Sequence, residues 1–536
     1  MNGSMFRAFA STMVSLSLAC SLMDVTNYGP TIGLTEHVRI DKAQILDDMR
    51  KIGALGPNFS EWHVSPRGKE KGNGAQDSPI NLETALSGDF TGIRPGDIVW
   101  LHGGTYVGPF NCMIKGTASL PINVRQYPGE RAIIEKNANM RDKGTLEVRG
   151  EHVWFWDLEV ANSSTDRKSS DKNGNHDPVR GSGINVYGAN TKYINLVVHD
   201  NGHGFGLWNE DGGTEIYGCV IFNNGNNKKE HGIYGHNKNG SHAIRNNLIF
   251  NNAGYGLHLY ANSTKSSVSG FDIERNTIFN NGSLTLDDQV ADQVLVGGVK
   301  GVPAERIKLV SNFVFNELDA PTSKNRGVRL GYEDMSNKDV KLFDNYIVSK
   351  VPLRILWWES VDARGNTIYA TGTTIDLVEP VSHEKRDYRM RANVYVGPTA
   401  NSAGFMINDT KLSLASWRDE KGFDRDSRAI DVAKNAVFVI PNIYDTTRAG
   451  ITIYNWERSA AVPIDLSQVL SQGDGFMILD AQDIFGKAVA SGVYEGLPVL
   501  LPMTQSTVTT PIGETERVPR HSGIEFGAYL LMKKGR

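Results

Sequence analysis

Two histidines, two tyrosines and an arginine recur at matching positions in short segments that each begin with a glycine. Tyr234 and His236 stand two and four residues after one such glycine, and His258 and Tyr260 stand likewise after the next. Arg329 stands two residues after a later one. Histidine and tyrosine act as general acids and bases, and arginine binds carboxylates. These types meet the three needs of β-elimination on an acidic sugar, which are neutralising the carboxylate, removing the C5 proton and protonating the leaving oxygen.

Aromatic and polar side chains surround these five positions and predict a sugar-binding face. A solvated β surface carries mainly serine, threonine, lysine and glutamate, whereas aromatic rings on a rigid sheet pack against the CH faces of a sugar. The predicted substrate-binding residues are Asn185, Tyr187, Trp208, Arg354, Trp357 and Trp358. A single exposed ring or histidine also occurs for structural reasons alone, so the prediction depends on their clustering.

Carboxylates near the same segments leave a second reaction open. A glycoside hydrolase needs two carboxyl groups that flank the bond to be broken. Glu210 and Glu230 stand at the ends of predicted strands and are the first candidates, although they do not fall in one outward column. Epimerisation of the sugar, and polysaccharide binding without catalysis, are the remaining alternatives.

The glycine-led segments belong to an internal repeat between about residues 183 and 282. Each repeat contains two short strands separated by polar turns, with a period of roughly 20–30 residues that is typical of solenoids. Such repeats bury their apolar side chains against the repeats above and below. Because side chains alternate along a strand, the inward positions are predicted to be Ile184, Phe205, Ile233, Leu257 and Val328. The pattern predicts an all-β, right-handed parallel β-helix.

Two further positions of the repeat hold the same residue type in successive coils. Asparagine recurs three residues before a phenylalanine, which predicts a ladder of side-chain amides bonded from coil to coil. The ladder comprises Asn247, Asn276, Asn312, Asn345 and Asn366, with Cys219 in register. The phenylalanines are predicted to form one internal stack of Phe222, Phe250, Phe279 and Phe315.

Residues 98–106 (IVWLHGGTY) and 125–132 (RQYPGERA), with the lines around His231 and Gly256, resemble exported bacterial β-helix proteins of the pectate-lyase-like superfamily. The resemblance covers roughly residues 60 to 420. It implies the β-helix fold and a polysaccharide as partner, but that superfamily includes lyases, hydrolases, uronate epimerases and phage depolymerases. Neither the Asp-Pro-His-Asp signature of mannuronan epimerases nor the paired-aspartate motifs of polygalacturonases occur in this sequence.

Four regions are predicted along the chain. Residues 1–22 read as a signal peptide or lipoprotein signal, residues 23–58 as an N-terminal extension, residues 59–430 as the β-helix and residues 431–536 as a small β-sandwich. A short helix ending near Leu86 is predicted to cap the first coil, which otherwise exposes apolar surface and free strand edges.

The apolar start of the chain predicts a secreted or periplasmic protein, with an outer-membrane lipoprotein as the alternative, because Cys20 follows Leu18-Ala19. A net charge of −4 over 536 residues argues against nucleic acid as a partner. No stretch is predicted to span a membrane, and a monomer is expected.

No cofactor is predicted, with one open alternative. Alternating Asp and Asn oxygens in residues 171–177, and the acidic insertion at 282–292, have the oxygen chemistry that Ca²⁺ prefers. The glycine spacing of the first loop does not match an EF-hand, so a solvated loop is the other interpretation.

Overall fold

A computed structural model describes residues 41–137, 143–167, 180–285, 292–318, 326–333, 337–379, 386–402 and 404–534. The predicted signal at 1–22 and the predicted Ca²⁺ loop at 171–177 lie outside these residues, as do Asp287 and Asp288 of the acidic insertion.

Three sheets of twelve strands each run the length of the described β-helix, and between Ile98 and Ile407 each coil contributes one strand to each sheet. The first sheet contains Glu61–Lys69, Ile98–Leu101, Ile122–Gln126, Val153–Trp156, Lys192–Ile194, Glu215–Tyr217, His242–Arg245, Val268–Glu274, Ala304–Val310, Asn337–Phe343, Trp358–Arg364 and Asp387–Arg391. The second contains Phe110–Cys112, Leu146–Val148, Ile184–Val186, Phe205–Leu207, Ile233–Gly235, Leu257–Ala261, Val294–Gly298, Arg326–Leu330, Val351–Leu356, Ile375–Val378, Phe405–Ile407 and Thr410–Leu412.

The third sheet contains Gly104–Val107, Ala132–Glu135, Glu159–Ala161, Val197–His199, Val220–Phe222, Leu248–Phe250, Thr277–Phe279, Phe313–Phe315, Tyr346–Ser349, Thr367–Ala370, Val394–Val396 and Arg428–Ile430. Pairing between successive coils is parallel, except for the last strand of the second sheet. The predicted all-β parallel β-helix is therefore confirmed.

Apolar side chains from all three sheets fill one continuous interior, and the five predicted inward positions of the second sheet are fully buried in it. The asparagine ladder is also confirmed. The Cys219 amide N–H donates to Asn247 Oδ1 at 2.9 Å, and Asn247 Nδ2 donates to Asn276 Oδ1 at 2.9 Å. The ladder continues coil by coil to Asn393. These bonds satisfy amides that the turns bury.

The phenylalanine stack is real, but its predicted internal position is wrong. The Phe222 and Phe250 rings stack with centroids 5.3 Å apart, yet both lie outside the β-helix core. Their neighbours Ile221 and Ile249 point inward instead. Because side chains alternate, an apolar run on a third-sheet strand faces both the interior and an outer layer.

That outer layer is the C-terminal region. A five-stranded antiparallel sheet has the order Ala436–Pro441, Arg448–Tyr454, Phe526–Lys534, Gly475–Asp480, Ala490–Val493, and a two-stranded sheet pairs Ala461–Ile464 with Val499–Pro502. One apolar cluster joins the five-stranded sheet to the third sheet of the β-helix, where the Phe526 and Phe315 rings stack at 4.4 Å. A second cluster fills the other face and includes residues of the two-stranded sheet.

Three helices occur in the described residues: α1 (Lys42–Lys51), α2 (Leu82–Leu86) and α3 (Leu414–Lys421). The predicted capping helix is α2, which buries Leu82 and Leu86 in the core of the first coils. None of these helices has the length and apolar character needed to cross a membrane.

Candidate functional site

The outward residues of the second sheet form the predicted column. Asn185, Gly206, Tyr234 and His258 pair in register across four successive coils. The predicted column lacks one coil. The strand Val294–Gly298 places Leu295 between His258 and Arg329. Successive coils are about 4.8 Å apart, so Arg329 starts about 10 Å from His258 along the column.

Four of the predicted catalytic residues lie together on two adjacent coils. We call Tyr234, His236, His258 and Tyr260 the quartet. Tyr234 pairs in register with His258, and their rings meet edge to face at 5.1 Å. The His258 ring stacks on Tyr260 at 4.9 Å. The β-helix thus brings two imidazoles and two phenols to one patch of the sheet.

A second row of functional side chains lies beside the quartet, and the sequence interpretation missed it. Its members each precede the residue that opens a second-sheet line, which is a glycine in four coils and Gln293 in the fifth. They are His203, His231, Tyr255, Asp292 and Arg326. The His203 and His231 rings lie 5.3 Å apart, and His231 and Tyr255 lie 4.9 Å apart. The signal was present, since a histidine or tyrosine precedes the glycine in three successive repeats.

Backbone amides in this row fix the protonation of the histidines. The Tyr255 N–H donates to Nδ1 of His231 at 3.1 Å, so the neutral His231 ring carries its proton on Nε2. That Nε2 lies 2.8 Å from Nδ1 of His258, which must therefore accept. The neutral His258 ring then carries its proton on Nε2, which has no hydrogen-bond partner among the described residues. His258 thus has a buried donor rather than a base at Nε2.

Burial keeps these groups neutral. It lowers the pKa of His231 and of His258 well below the ordinary histidine value. Burial also raises the pKa of Tyr234 to about 12 and that of Tyr255 above its usual range. Burial lowers the pKa of His236 as well, so neither histidine of the quartet is expected to be charged at neutral pH.

His236 differs from His258 in its partner. Its Nδ1 lies 2.9 Å from Oε1 of Glu210, although the direction is not that of a good hydrogen bond. A carboxylate beside Nδ1 favours a proton on that nitrogen and leaves the lone pair on Nε2. The predicted candidate Glu210 is therefore at the quartet, where it orients a histidine.

The predicted sugar-binding residues on the coils before the quartet also meet. Trp208 donates from Nε1 to Oδ1 of Asn185 at 2.7 Å, and Asn185 donates to Glu147 at 2.9 Å. Gly206 makes room for the indole, because a Cβ there would lie 2.5 Å from the Trp208 Nε1. Tyr187 is 37% exposed. These side chains give the face an aromatic platform beside the quartet.

The arginine on the other side reaches the quartet through an aromatic ring. The Arg329 guanidinium lies 4.9 Å from the centre of the Tyr332 ring, which contacts Tyr260 edge to face at 5.0 Å. The charge of Arg329 contributes, after burial, to lowering the pKa of His258. Arg354 follows Arg329 in the column, as predicted, and pairs with Asp376.

Three predicted residues are not part of this face. Trp358 is fully buried in the β-helix interior, so its predicted contact with substrate is wrong. Glu230 is buried too and accepts from the amide N–H of Asn226 in its own turn at 2.7 Å. Trp357 has a φ of 56° and forms the corner after the second sheet, outside both columns.

No group of three or more histidine, cysteine, aspartate or glutamate side chains within the described ranges has the arrangement of a metal site.

Residues 158–298 match the family described as the right handed beta helix region. The match covers the coils that carry the quartet, and it agrees with the three parallel sheets. The chain folds as a right-handed parallel β-helix.

Three solved structures are similar to this chain at low identity. The complex of XylC with xylose is 10% identical, with a TM-score of 0.44, and the alignment covers 88% of this chain and 100% of that one. The GH136 lacto-N-biosidase from Eubacterium ramulus is 14% identical (TM-score 0.40; 73% and 69% covered). Pectate lyase Pel9A is 16% identical (TM-score 0.39; 59% and 81% covered). No curated protein sequence matches this chain.

Proposed function

We propose that this protein is a carbohydrate-active enzyme that cleaves an acidic polysaccharide by β-elimination at the quartet. The observation that carries the proposal is the close grouping of a donor histidine, a carboxylate-paired histidine and two phenols, with Arg329 reaching toward them. The lowered pKa of His236 and the raised pKa of Tyr260 support a neutral base and a protonated acid.

The proposed steps use His258, Arg329, His236, Glu210 and Tyr260. The His258 Nε2–H and the Arg329 guanidinium hold the carboxylate of the sugar and make its C5 proton more acidic. The Nε2 lone pair of His236 takes that proton, with Glu210 stabilising the imidazolium that forms. The C5–H electrons become the C4–C5 double bond as the C4–O bond breaks. Tyr260, which is protonated at neutral pH, gives its proton to the leaving oxygen.

A panel of acidic and neutral polysaccharides with two readouts tests this assignment. We expect ultraviolet absorbance from unsaturated uronate ends to rise together with new reducing ends on an acidic polymer. His236→Ala and Tyr260→Phe should lower kcat by about 10²–10⁴-fold while leaving the circular dichroism spectrum unchanged. Tyr369→Phe is the matched control, because Tyr369 stacks on Trp456 on the third sheet. Full activity in both quartet variants would refute the mechanism.

Glycoside hydrolysis is the second candidate, because of one buried carboxyl. Asp292 is fully buried, and neither of its oxygens accepts a hydrogen bond from the described residues. Burial raises its pKa, against the opposing charge of Arg326. A general acid in a glycosidase has these properties. New reducing ends without unsaturated products would support hydrolysis, and binding with neither product would identify a non-catalytic protein.

A polysaccharide substrate agrees with the predicted secreted or periplasmic location. The proposed steps use only side chains of the protein and do not involve Ca²⁺. We expect the protein in the extracellular or periplasmic fraction of cells that express the full chain. We expect a calcium chelator to leave the activity unchanged. A loss of activity would support the Ca²⁺ alternative.

A further inference from the structure

A second group of charged side chains lies along the second sheet beyond the quartet. Arg329 and Arg354 pair in register on neighbouring coils, and Arg326 lies on the same strand as Arg329. Nη1 of Arg326 is 3.9 Å from Oδ1 of Asp292, and Nε of Arg354 is 2.5 Å from Oδ2 of Asp376. Arg329 instead donates to the carbonyl oxygens of Gly331 and Tyr332. The cluster thus contains three guanidinium groups and two carboxyl groups, which leaves an excess of positive charge.

The carboxyl groups of this cluster have unused hydrogen-bonding capacity. Both oxygens of Asp292 and Oδ1 of Asp376 are buried without a donor among the described residues. Buried acceptors without donors are costly and rare in native proteins. A ligand that brings hydroxyl donors for the carboxyl groups and an anion for the arginines would satisfy both halves of the cluster. A sugar residue with an acidic substituent has this combination.

The coil Val294–Gly298 sets the distance between this cluster and the quartet. Arg354 is the third residue beyond His258 in the column, after Leu295 and Arg329. At about 4.8 Å for each coil, its backbone lies about 14 Å from that of His258. Arg354 thus lies one coil farther from the quartet than Arg329, and its Nε is held by Asp376. We therefore assign it to a neighbouring sugar residue rather than to the one that reacts at the quartet. The side chains of Arg326 and Arg354 remain 22% and 27% exposed and are accessible to a ligand.

We propose that Arg326 and Arg354, with Asp292, form a separate subsite for a second anionic sugar residue of the same polysaccharide chain. The proposal rests on the proposed function for the place of the reacting sugar. It defines the substrate as a polyanion that carries carboxylate or sulfate groups on residues along the chain, not at one end only.

Binding measurements test the subsite without requiring turnover. Calorimetry in a Tyr260→Phe background compares a long oligouronate, its carboxyl-reduced neutral counterpart, a sulfated oligosaccharide and a uronate disaccharide. Arg354→Gln and Arg326→Gln should each weaken binding of the long anionic ligand about tenfold or more, because each loses a charge-assisted contact. The disaccharide should bind the variants and the parent alike. Arg364→Gln is the control, since its guanidinium lies over the Phe343 ring on the first sheet, 4.1 Å from the ring centre.

The pattern of losses identifies the anion. A loss confined to the oligouronate indicates a carboxylate, and a loss confined to the sulfated ligand indicates a sulfate; both support the subsite. Equal affinity for the neutral counterpart, or equal losses in Arg354→Gln and Arg364→Gln, would overturn it. Failure of the lyase proposal is a separate result: the arginine variants then lose affinity for the anion although the parent protein forms no unsaturated product.

Discussion

Replacing His258 by glutamine and, separately, by asparagine separates a hydrogen-bond donor from a base. The amide nitrogen of glutamine reaches about the position of Nε2 of an imidazole, whereas that of asparagine reaches about the position of Nδ1. Since the His231 contact fixes the His258 proton on Nε2, glutamine keeps the donor and asparagine loses it. Neither amide is able to take a proton at neutral pH.

The two roles predict different magnitudes. A hydrogen bond to a charged group contributes about 1.5–3 kcal/mol, which corresponds to about 10–100-fold in rate. We therefore expect His258→Asn to lower kcat/KM by about 10–100-fold and His258→Gln to retain activity within about tenfold of the parent. If His258 were the general base, both variants would lose about 10²–10⁴-fold.

The assay is the initial rate of unsaturated product formed from the acidic polysaccharide identified in the panel, measured against pH. Because burial holds the pKa of His258 well below its ordinary value, its titration should leave no step in kcat/KM between pH 6 and pH 7. Circular dichroism and melting curves check that both variants fold. Equal losses above about a thousandfold in the two variants, restored by added imidazole, would refute the donor role.

Four other results are expected. Asn276→Ala removes the acceptor of the Asn247 amide and the donor to Ile244, so it should destabilise the protein by on the order of 3 kcal/mol in urea unfolding; an unchanged midpoint would contradict the ladder. Asp292→Asn should keep kcat within a few-fold, whereas a loss above about a hundredfold would favour hydrolysis with this residue as acid. Phe526→Ala removes the ring that packs on Phe279 and Phe315 of the third sheet and should expose the C-terminal strands to limited proteolysis, leaving the β-helix intact; equal protease resistance would contradict this docking. The acid limb of kcat/KM should lie below pH 6.5, because the base must be neutral and burial lowers the pKa of His236; a limb at higher pH would exclude it.

The sequence predicted the fold and the register because both depend on periodic properties. Inward and outward positions alternate along each strand, so one glycine-led line was enough to predict the burial of Ile233 and the outward position of Tyr234. Repetition of asparagine from coil to coil predicted the ladder for the same reason. Every coil shares these properties, so the residue types in one repeat check the inward and outward positions assigned in the others.

The missed features depend on single coils or on contacts between distant parts of the chain. The coil at Val294–Gly298 has glycines at its end and a glutamine, not a glycine, before Val294, so it does not fit the line pattern. The outward face of the phenylalanine stack requires the C-terminal sheet as a cover, and that sheet follows more than a hundred residues later. The tautomer of His258 depends on the amide of Tyr255, which no residue-type pattern reveals.

The placement of the C-terminal region also bears on where a substrate binds. The third sheet is covered by the five-stranded sheet, and α1 packs on the early strands of the first sheet around Trp100. Later strands of the first sheet carry surface ion pairs such as Lys308 with Asp272, which suit solvent rather than a sugar. The second sheet instead carries half-buried Trp208 and Tyr260 on its outer side. Aromatic area costs free energy when it stays in water, which supports the proposal that this face binds the sugar.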